Sequence, residues 1–230
     1  KWEVKHTFNT GIDVALFGNR LLLSANYYNS RTTDMLYLYN VSVPPFTYNT
    51  LLANIGSMRN WGTEIAIGIT PLKIKDMELN INANITFQRH KLLSLSGMYN
   101  GEMLSAPEYK SLSGLDGAGF HGGYNHIVYQ MVGQPLGVFY LPHSTGLESD
   151  GNGGYTYGIA DLNGGGVSLE DGEDRYVAGQ AVPKTILGSN ISFRYKRFDL
   201  SLQVNGAFGH KIYNGTSLPE LVTSIVATKK

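Results

Sequence analysis

The sequence predicts an all-β protein: an antiparallel up-and-down portion of a transmembrane β-barrel, about 8–10 strands of a larger wall, with short turns at one end and long loops at the other. Three observations predict it. Apolar and polar residues alternate with a period of two in several segments, the side-chain period of a strand. Tight and long connections alternate along the chain, which in an up-and-down sheet gathers all the tight turns at one end. The alternating runs are about 10 residues long, which at roughly 3.3 Å per residue and a tilt near 45° covers roughly 23 Å, close to the apolar band of an outer-membrane barrel.

The elements follow in order. In "GIDVALFG", Ile12, Val14 and Leu16 alternate with Gly11, Asp13 and Ala15. In "LLLSANYYNS", Leu21, Leu23, Ala25 and Tyr27 face one way, and Leu22, Ser24, Asn26 and Tyr28 the other. "TEIAIGIT" sets Ile65, Ile67 and Ile69 against Glu64, Ala66, Gly68 and Thr70. "MELNINANITF", residues 77–87, sets Met77, Leu79, Ile81, Ala83, Ile85 and Phe87 against Glu78, Asn80, Asn82, Asn84 and Thr86. "NISFRY" and "FDLSLQVNG" continue the pattern through Ile191, Phe193 and Tyr195 and through Phe198, Leu200, Leu202 and Val204. The polar sides carry mostly amides and hydroxyls rather than Lys and Glu.

Three connections read as hairpin turns: "FGNR" at 17–20, "LKIKD" at 72–76 and "YKRF" at 195–198. The others read as long loops, from about Asn29 to Asn60, His90 to Tyr124 and Leu141 to Pro183, and carry Pro44-Pro45, "GAGFHGG", "SDGNGG" and "NGGG". Phe17, Tyr195 and Phe198 flank the tight turns, while Tyr27, Tyr28, Tyr37 and Tyr39 lie toward the loop end, as two aromatic belts would.

Composition agrees. Of 230 residues only 16% are charged, aromatics reach 11% with 15 Tyr, and there are 28 Gly, a profile that suits turn-rich β structure rather than a helical enzyme. The formal net charge is zero, so nothing calls for nucleic acid or anionic lipid as a partner. The absence of Cys excludes disulfides and thiolate metal sites. No run of about 18 apolar residues predicts a transmembrane helix. The chain opens on strand-like sequence at Lys1 without a signal peptide, the expectation for a mature piece or fragment of an exported protein.

Alternation alone fits a second fold equally well: a soluble carbohydrate-binding β-sandwich whose apolar side meets a second sheet. Loop asymmetry and strand length favour the barrel, since lipid cannot satisfy backbone N–H and C=O groups and a closed ladder of strands can. The two differ in one place. A sandwich buries Ile65, Ile67, Ile69, Leu200 and Leu202, whereas a barrel wall leaves them outward. A small complete barrel with a structural role is a third arrangement, and its terminal strands would have to pair with each other.

Four segments in register resemble one family. "NIGSMRNWGTEIAI" (54–67) resembles the late-barrel motif of SusC/RagA-family TonB-linked outer-membrane proteins, on Asn54, Ile55, Gly56, Asn60, Gly62 and Glu64. "VGQPLGVFY" (132–140), "DLNGGG" with "EDRYVAGQAVPK" (173–184), and "YKRFDLSLQVNGAFGHKIYN" (195–214) resemble later segments of the same family. The resemblance implies a barrel of about 22 strands, an N-terminal plug domain and a TonB-contacting segment. It places residues 1–230 in the C-terminal part of the barrel, with no plug domain present. The chain ends "SIVATKK" without the family's terminal aromatic strand, which reads as an internal or truncated portion. The implied function is import of oligosaccharides or peptides through the Gram-negative outer membrane, by a multi-pass protein that is not an enzyme. A SusD/RagB-like surface lipoprotein, the TonB complex (through the missing N-terminal part) and outer-membrane lipid would be the partners.

Candidate ligand residues sit in the loops. Tyr99, Tyr109, Phe120, Tyr124, Tyr155 and Tyr157, among Gly, Asn and Ser, offer apolar area beside hydrogen-bonding groups and suit glycan or peptide capture; packing among the loops is the competing role. Segment 161–174 is the candidate calcium loop: Asp161, Asn163 and Gly166 fit positions 1, 3 and 6 of such a loop, and Asp174 supplies a carboxylate out of register. Gly165 and Gly172 occupy positions where a ligand is needed, so a turn-rich acidic surface loop is the alternative. "GAGFHG" (117–122) matches G-x-G-x-x-G but lacks the strand and helix of a dinucleotide site. No HExxH, paired zinc-ligand spacing or nucleophile elbow occurs.

Overall fold

The computed structural model describes residues 2–107, 109–114, 126–168 and 173–213, and among these every regular element is a strand. The chain divides into two compact units: Lys1–Glu108 with Val132–Pro135 and Val182–His210, and Tyr109–Met131 with Leu136–Ala181 and Lys211–Lys230.

The first unit is built on one sheet. Strands β1 (Val4–Leu16), β2 (Leu21–Asn40), β3 (Thr50–Ile74), β4 (Met77–Ser94), β13 (Thr185–Tyr195) and β14 (Phe198–Phe208) lie in the order β1-β2-β3-β4-β13-β14, every neighbour antiparallel. This is the predicted up-and-down wall. Its continuous sheet holds six strands, and the remaining strands are short and form smaller sheets. A short hairpin of β5 (Gly97–Tyr99) and β6 (Glu102–Leu104) completes this unit. The second unit holds a four-stranded sheet, β12 (Arg175–Gln180), β9 (Val138–Pro142), β8 (His126–Met131) and β7 (Tyr109–Gly114), and a hairpin of β10 (Ser144–Ser149) and β11 (Tyr155–Ile159).

The three tight turns fall where the sequence places them. The first bends through left-handed backbone at Phe17, Gly18 and Asn19, with φ of 55°, 61° and 67°, a conformation that Gly and Asn accept readily and Phe does not. The second needs only Lys75 and Asp76, and the third only Lys196 and Arg197. The Lys196 N–H donates to the Asp76 carbonyl at 2.7 Å, tying the second and third turns together.

The long connections differ from the expected loops. β2 runs 20 residues and β3 runs 25, so the connection predicted from Asn29 to Asn60 shrinks to residues 41–49. Residues 30–39 carry Thr and Tyr, which favour strands, but a bulge near Thr32–Met35 breaks their alternation. Asp34 there has a φ of 56°; the Glu3 carboxylate accepts the Leu36 N–H at 3.0 Å, and Asn54 Nδ2 donates to the Asp34 carbonyl at 2.9 Å. The segments from His90 to Tyr124 and from Leu141 to Pro183 likewise contain strands.

Register assigns two faces. Residues directly opposite share a face, and the rows Leu16–Leu21–Ile69–Ile81–Ile191–Leu202 and Val14–Leu23–Ile67–Ala83–Ser189–Val204 run across all six strands. A bulge at Thr70–Pro71 shifts β3 by one residue, so Leu72 and Ile74 join this apolar face opposite Leu79 and Met77. The face is bare. Ile67 is 37% exposed, Leu202 53% and Leu200 66%, so among the described residues no second sheet of a sandwich buries it.

Aromatics bound the apolar face. At the turn end stand Phe17, Tyr195 and Phe198; at the other, Phe8, Tyr27, Trp61, Phe87 and Phe208. The 11 residues of β14 between Phe198 and Phe208, tilted as in a barrel, span roughly 25 Å. The 10-residue expectation therefore describes the apolar band, while β2, β3 and β4 extend past it. Of the predicted loop-end belt only Tyr27 lies on the apolar face. Tyr28 points to the opposite face, and Tyr37 and Tyr39 form an edge-to-face pair at 5.2 Å with Tyr39 1% exposed. They belong to a small core of Tyr39, Ala53, Leu92, Leu95, Leu104 and Ala106 where the strands extend past the band. Leu92 alone, with no exposed surface, contributes about 1.5–3 kcal/mol. The second unit has its own core of Ile127, Tyr129, Val138 and Phe139.

Candidate functional site

The face opposite the apolar one is an amide wall. Its rows read Ala15–Leu22–Gly68–Asn82–Asn190–Gln203, Asp13–Ser24–Ala66–Asn84–Gly188–Asn205 and Gly11–Asn26–Glu64–Thr86–Ile186–Ala207. Asp13 and Glu64 are the charged residues of these rows. A hollow of about 560 Å³ crosses the first two rows, lined by Asp13, Ser24, Asn82, Asn84, Asn190 and Gln203 among others. A second, of about 390 Å³, lies nearer the loop end among Lys5, Asn9, Asn26, Tyr28, Asn60 and Glu64.

Small residues shape this wall. At Gly62 an added Cβ would collide with the Phe87 carbonyl oxygen and meet the Tyr28 hydroxyl at 2.6 Å, so the Tyr28 ring lies flat over the glycine of the next strand. The Asn26 amide lies over Gly11 in the same way, and Asn84 would come within 2.8 Å of a Cβ at Gly188. Glycine lets the longer side chain lie along the wall instead of projecting from it. The result is a surface of hydrogen-bonding groups with little net charge.

At the turn end the same face carries a ladder of alternating sign, Lys73–Glu78–Arg194–Asp199, one residue from each of four strands. Arg194 Nη2 lies 2.7 Å from Glu78 Oε2, and Lys73 Nζ 3.9 Å from Glu78 Oε1. Asn80 Nδ2 donates to Glu78 Oε1 at 3.2 Å, and Thr70 Oγ1 donates to Asn80 Oδ1 at 2.8 Å. Sequence reading missed this ladder, since only register brings residues 73, 78, 194 and 199 into one row.

The described predicted ligand residues fall on different elements. Tyr155 and Tyr157 share a face of the β10–β11 hairpin with Leu147, all three exposed. Tyr99 sits half-buried on β5. Phe120 and Tyr124 lie outside the described residues. Tyr109 joins residues that the prediction left out: its ring is 6.3 Å from Tyr129, which is 5.3 Å from Tyr140, and the Arg175 guanidinium lies 6.0 Å from the Tyr129 centroid. Arg175 Nη1 also donates to the Tyr129 hydroxyl at 3.3 Å and to the His126 carbonyl at 3.2 Å. The Tyr140 position lies within "VGQPLGVFY", but nothing in its sequence spacing points to Arg175.

In the acidic loop the three candidate ligands act as acceptors of backbone N–H groups. Asp161 takes Gly164 and Gly166 at 2.6 and 3.0 Å, and Asn163 takes Gly165 at 2.8 Å. Asp174, 3% exposed, takes Leu162 and Ser168 at 2.6 and 2.7 Å. The Ser168 and Leu162 N–H groups hold its carboxyl below the ordinary carboxylate value. Among the described residues no group of three or more His, Asp or Glu could hold a metal ion.

Residues 1–214 match the family model described as "TonB dependent receptor-like, beta-barrel". The chain is 30% identical over 231 residues to TonB-dependent receptor P3 of Formosa agariphila, covering 95% of this chain and 22% of that protein. It is 24% identical over 214 residues to TonB-dependent receptor SusC of Bacteroides thetaiotaomicron, covering 93% of this chain and 20% of SusC. In fold it matches the structure of the RagAB peptide transporter with a TM-score of 0.62 at 22% identity, covering 90% of this chain and 21% of the other. The chain thus spans about a fifth of the length of these relatives.

Proposed function

The chain belongs to the TonB-dependent receptor-like β-barrel family, and on that premise we propose that residues 1–230 form a C-terminal section of the wall of a Gram-negative outer-membrane nutrient importer, with the plug domain outside this chain. One observation carries the reading. A bare apolar face bounded by aromatics backs onto a neutral amide face across six strands. Lipid suits the first, because it accepts hydrocarbon and no unpaired backbone polar groups. Water and polar solute suit the second.

The wall works by substitution. An oligosaccharide or peptide leaving water loses hydrogen bonds, and Asn82, Asn84, Asn190, Gln203 and Asn205 offer replacements. Uncharged amides exchange partners readily, so the solute passes without being trapped. The aromatics Tyr99, Tyr109, Tyr155 and Tyr157, with Phe120 and Tyr124, contact the substrate before entry. A SusD/RagB-like lipoprotein holds it from outside, and TonB, engaged through parts beyond this chain, supplies the energy. No bond is made or broken, so the protein is not an enzyme.

The test is uptake by cells carrying the intact parent protein. TonB-dependent accumulation of a labelled oligosaccharide or peptide is expected. Accumulation indifferent to both TonB and the parent gene would overturn the reading.

A further inference from the structure

The formal charge of the whole chain is zero, but the fold sorts the charges. Residues 95–184, the insertion between β4 and β13, hold ten Asp and Glu against three Lys and Arg. The short-turn end of the six-stranded sheet is the reverse. It gathers Arg20, Lys73, Lys75, Arg194, Lys196 and Arg197 against Asp76, Glu78 and Asp199.

The six cations fall into two groups. Lys73 and Arg194 belong to the ladder on the amide face, where Glu78 pairs with both and Asp199 stands opposite Arg194. Arg20, Lys75, Lys196 and Arg197 sit on the turns themselves, all exposed. Among the described residues no ion pair or side-chain hydrogen bond holds any of these four. Asp76 adjoins Lys75 in the second turn, and Asp199 lies two residues beyond Arg197.

Their neighbours are apolar. Phe17 and Phe198 are each 77% exposed, and Tyr195 and Phe198 stand opposite each other on the apolar face. The Lys196 ammonium lies 5.3 Å from the Tyr195 ring centroid, so this cation is held at the margin of the apolar face rather than over the amide wall. A ring at the edge of a hydrocarbon band with a cation beside it matches a lipid interface, where acyl chain gives way to phosphate.

We propose that this short-turn rim binds the phosphodiester head groups of anionic glycerophospholipids in the surrounding leaflet. The inference rests on the membrane reading above. Free phosphate would satisfy the cations but leave Phe17 and Phe198 bare, whereas a lipid covers both. A cation near an anionic surface is worth roughly fivefold in occupancy at low salt, and screening removes most of that beyond a Debye length.

The test uses the full-length protein that carries this chain, in nanodiscs of mixed phosphatidylglycerol and phosphatidylcholine, with native mass spectrometry of the lipid retained. Phosphatidylglycerol is expected to be enriched over the bulk ratio by roughly tenfold. The combined Arg20→Gln, Lys75→Gln, Lys196→Gln and Arg197→Gln variant brings the ratio back to bulk, and high salt does the same. A Lys5→Gln, Arg31→Gln variant at the loop end keeps the enrichment, and millimolar inorganic phosphate does not displace the lipid. The charge-preserving variant, Arg to Lys and Lys to Arg at the four positions, keeps the enrichment too, which separates charge from fold. If the fourfold variant does not fold, the Lys196→Gln, Arg197→Gln pair is used. Unchanged enrichment in the neutralised variant, equal loss in the loop-end control, or displacement by phosphate overturns the proposal. An intact barrel that transports nothing leaves this test standing, so the two readings fail separately.

Discussion

Gly62 leaves no room for a side chain. The Phe87 carbonyl and the Tyr28 ring occupy the space a Cβ would need, and the carbonyl belongs to the ladder and cannot move aside. Gly62→Ala should therefore cost about 1–3 kcal/mol, read from urea unfolding of the full-length barrel in vesicles, with part of the loss recovered when Tyr28→Ala is added. Asp174 offers a second test at this scale. Backbone N–H groups of Ser168 and Leu162 hold its carboxyl below the ordinary value near 3.8. A depressed value means its contribution is fully present above the unfolded value and is lost as pH falls through the lower folded one. Amide hydrogen exchange of residues 162–168 should stay slow at neutral pH and accelerate, relative to the intrinsic rate, as the pH drops below about 4. Asp174→Asn should accelerate it at every pH, and calcium chelation should leave it unchanged.

Among elements, the legible ones were those whose alternation is unbroken. Met77–Phe87 and Phe198–Val204 show period two without interruption, and both are strands whose apolar residues share one face of the sheet. β2 and β3 were only half legible, because two offsetting irregularities interrupt the pattern near Asp34 and the bulge at Pro71 shifts it by one residue. Past a bulge the period restarts on the other face, which in sequence looks like a loop. The strands of the second unit are five or six residues each and lie between Gly-rich stretches, too short for periodicity to register. The candidate site was legible as a chemistry, amides on one side of each strand. It was not legible as rows, since the Lys73–Glu78–Arg194–Asp199 ladder exists only in the register. That ladder is exposed on the Arg194 side, 61% for its side chain. A double-mutant cycle of Glu78→Gln with Arg194→Gln should accordingly give a coupling of about 0.2–1 kcal/mol and no more. A coupling several times larger would mean that the pair is shielded from water in the assembled wall.

For the whole molecule, β1 and β14 each pair on one side alone in the six-stranded sheet. Unpaired ladder edges aggregate in water and are excluded from hydrocarbon. The 230-residue chain expressed alone should therefore give no heat-modifiable band after transfer to lipid vesicles, whereas the full-length protein should. A folded, monomeric fragment in aqueous buffer would contradict the wall reading. The sorting of charge also belongs to this scale. Zero net charge in the sequence argued against an anionic lipid partner, and only the assembled sheet collects Arg20, Lys75, Lys196 and Arg197 at one rim.

The two faces of β14 test the central claim most directly. Leu202 and Gln203 are adjacent in sequence and opposite in direction. With the full-length protein refolded into lipid vesicles, Leu202→Arg should cost about 2–4 kcal/mol, and Gln203→Arg less than about 1 kcal/mol. Equal costs, or a larger one at Gln203, would place protein rather than hydrocarbon against the apolar rows and contradict the account.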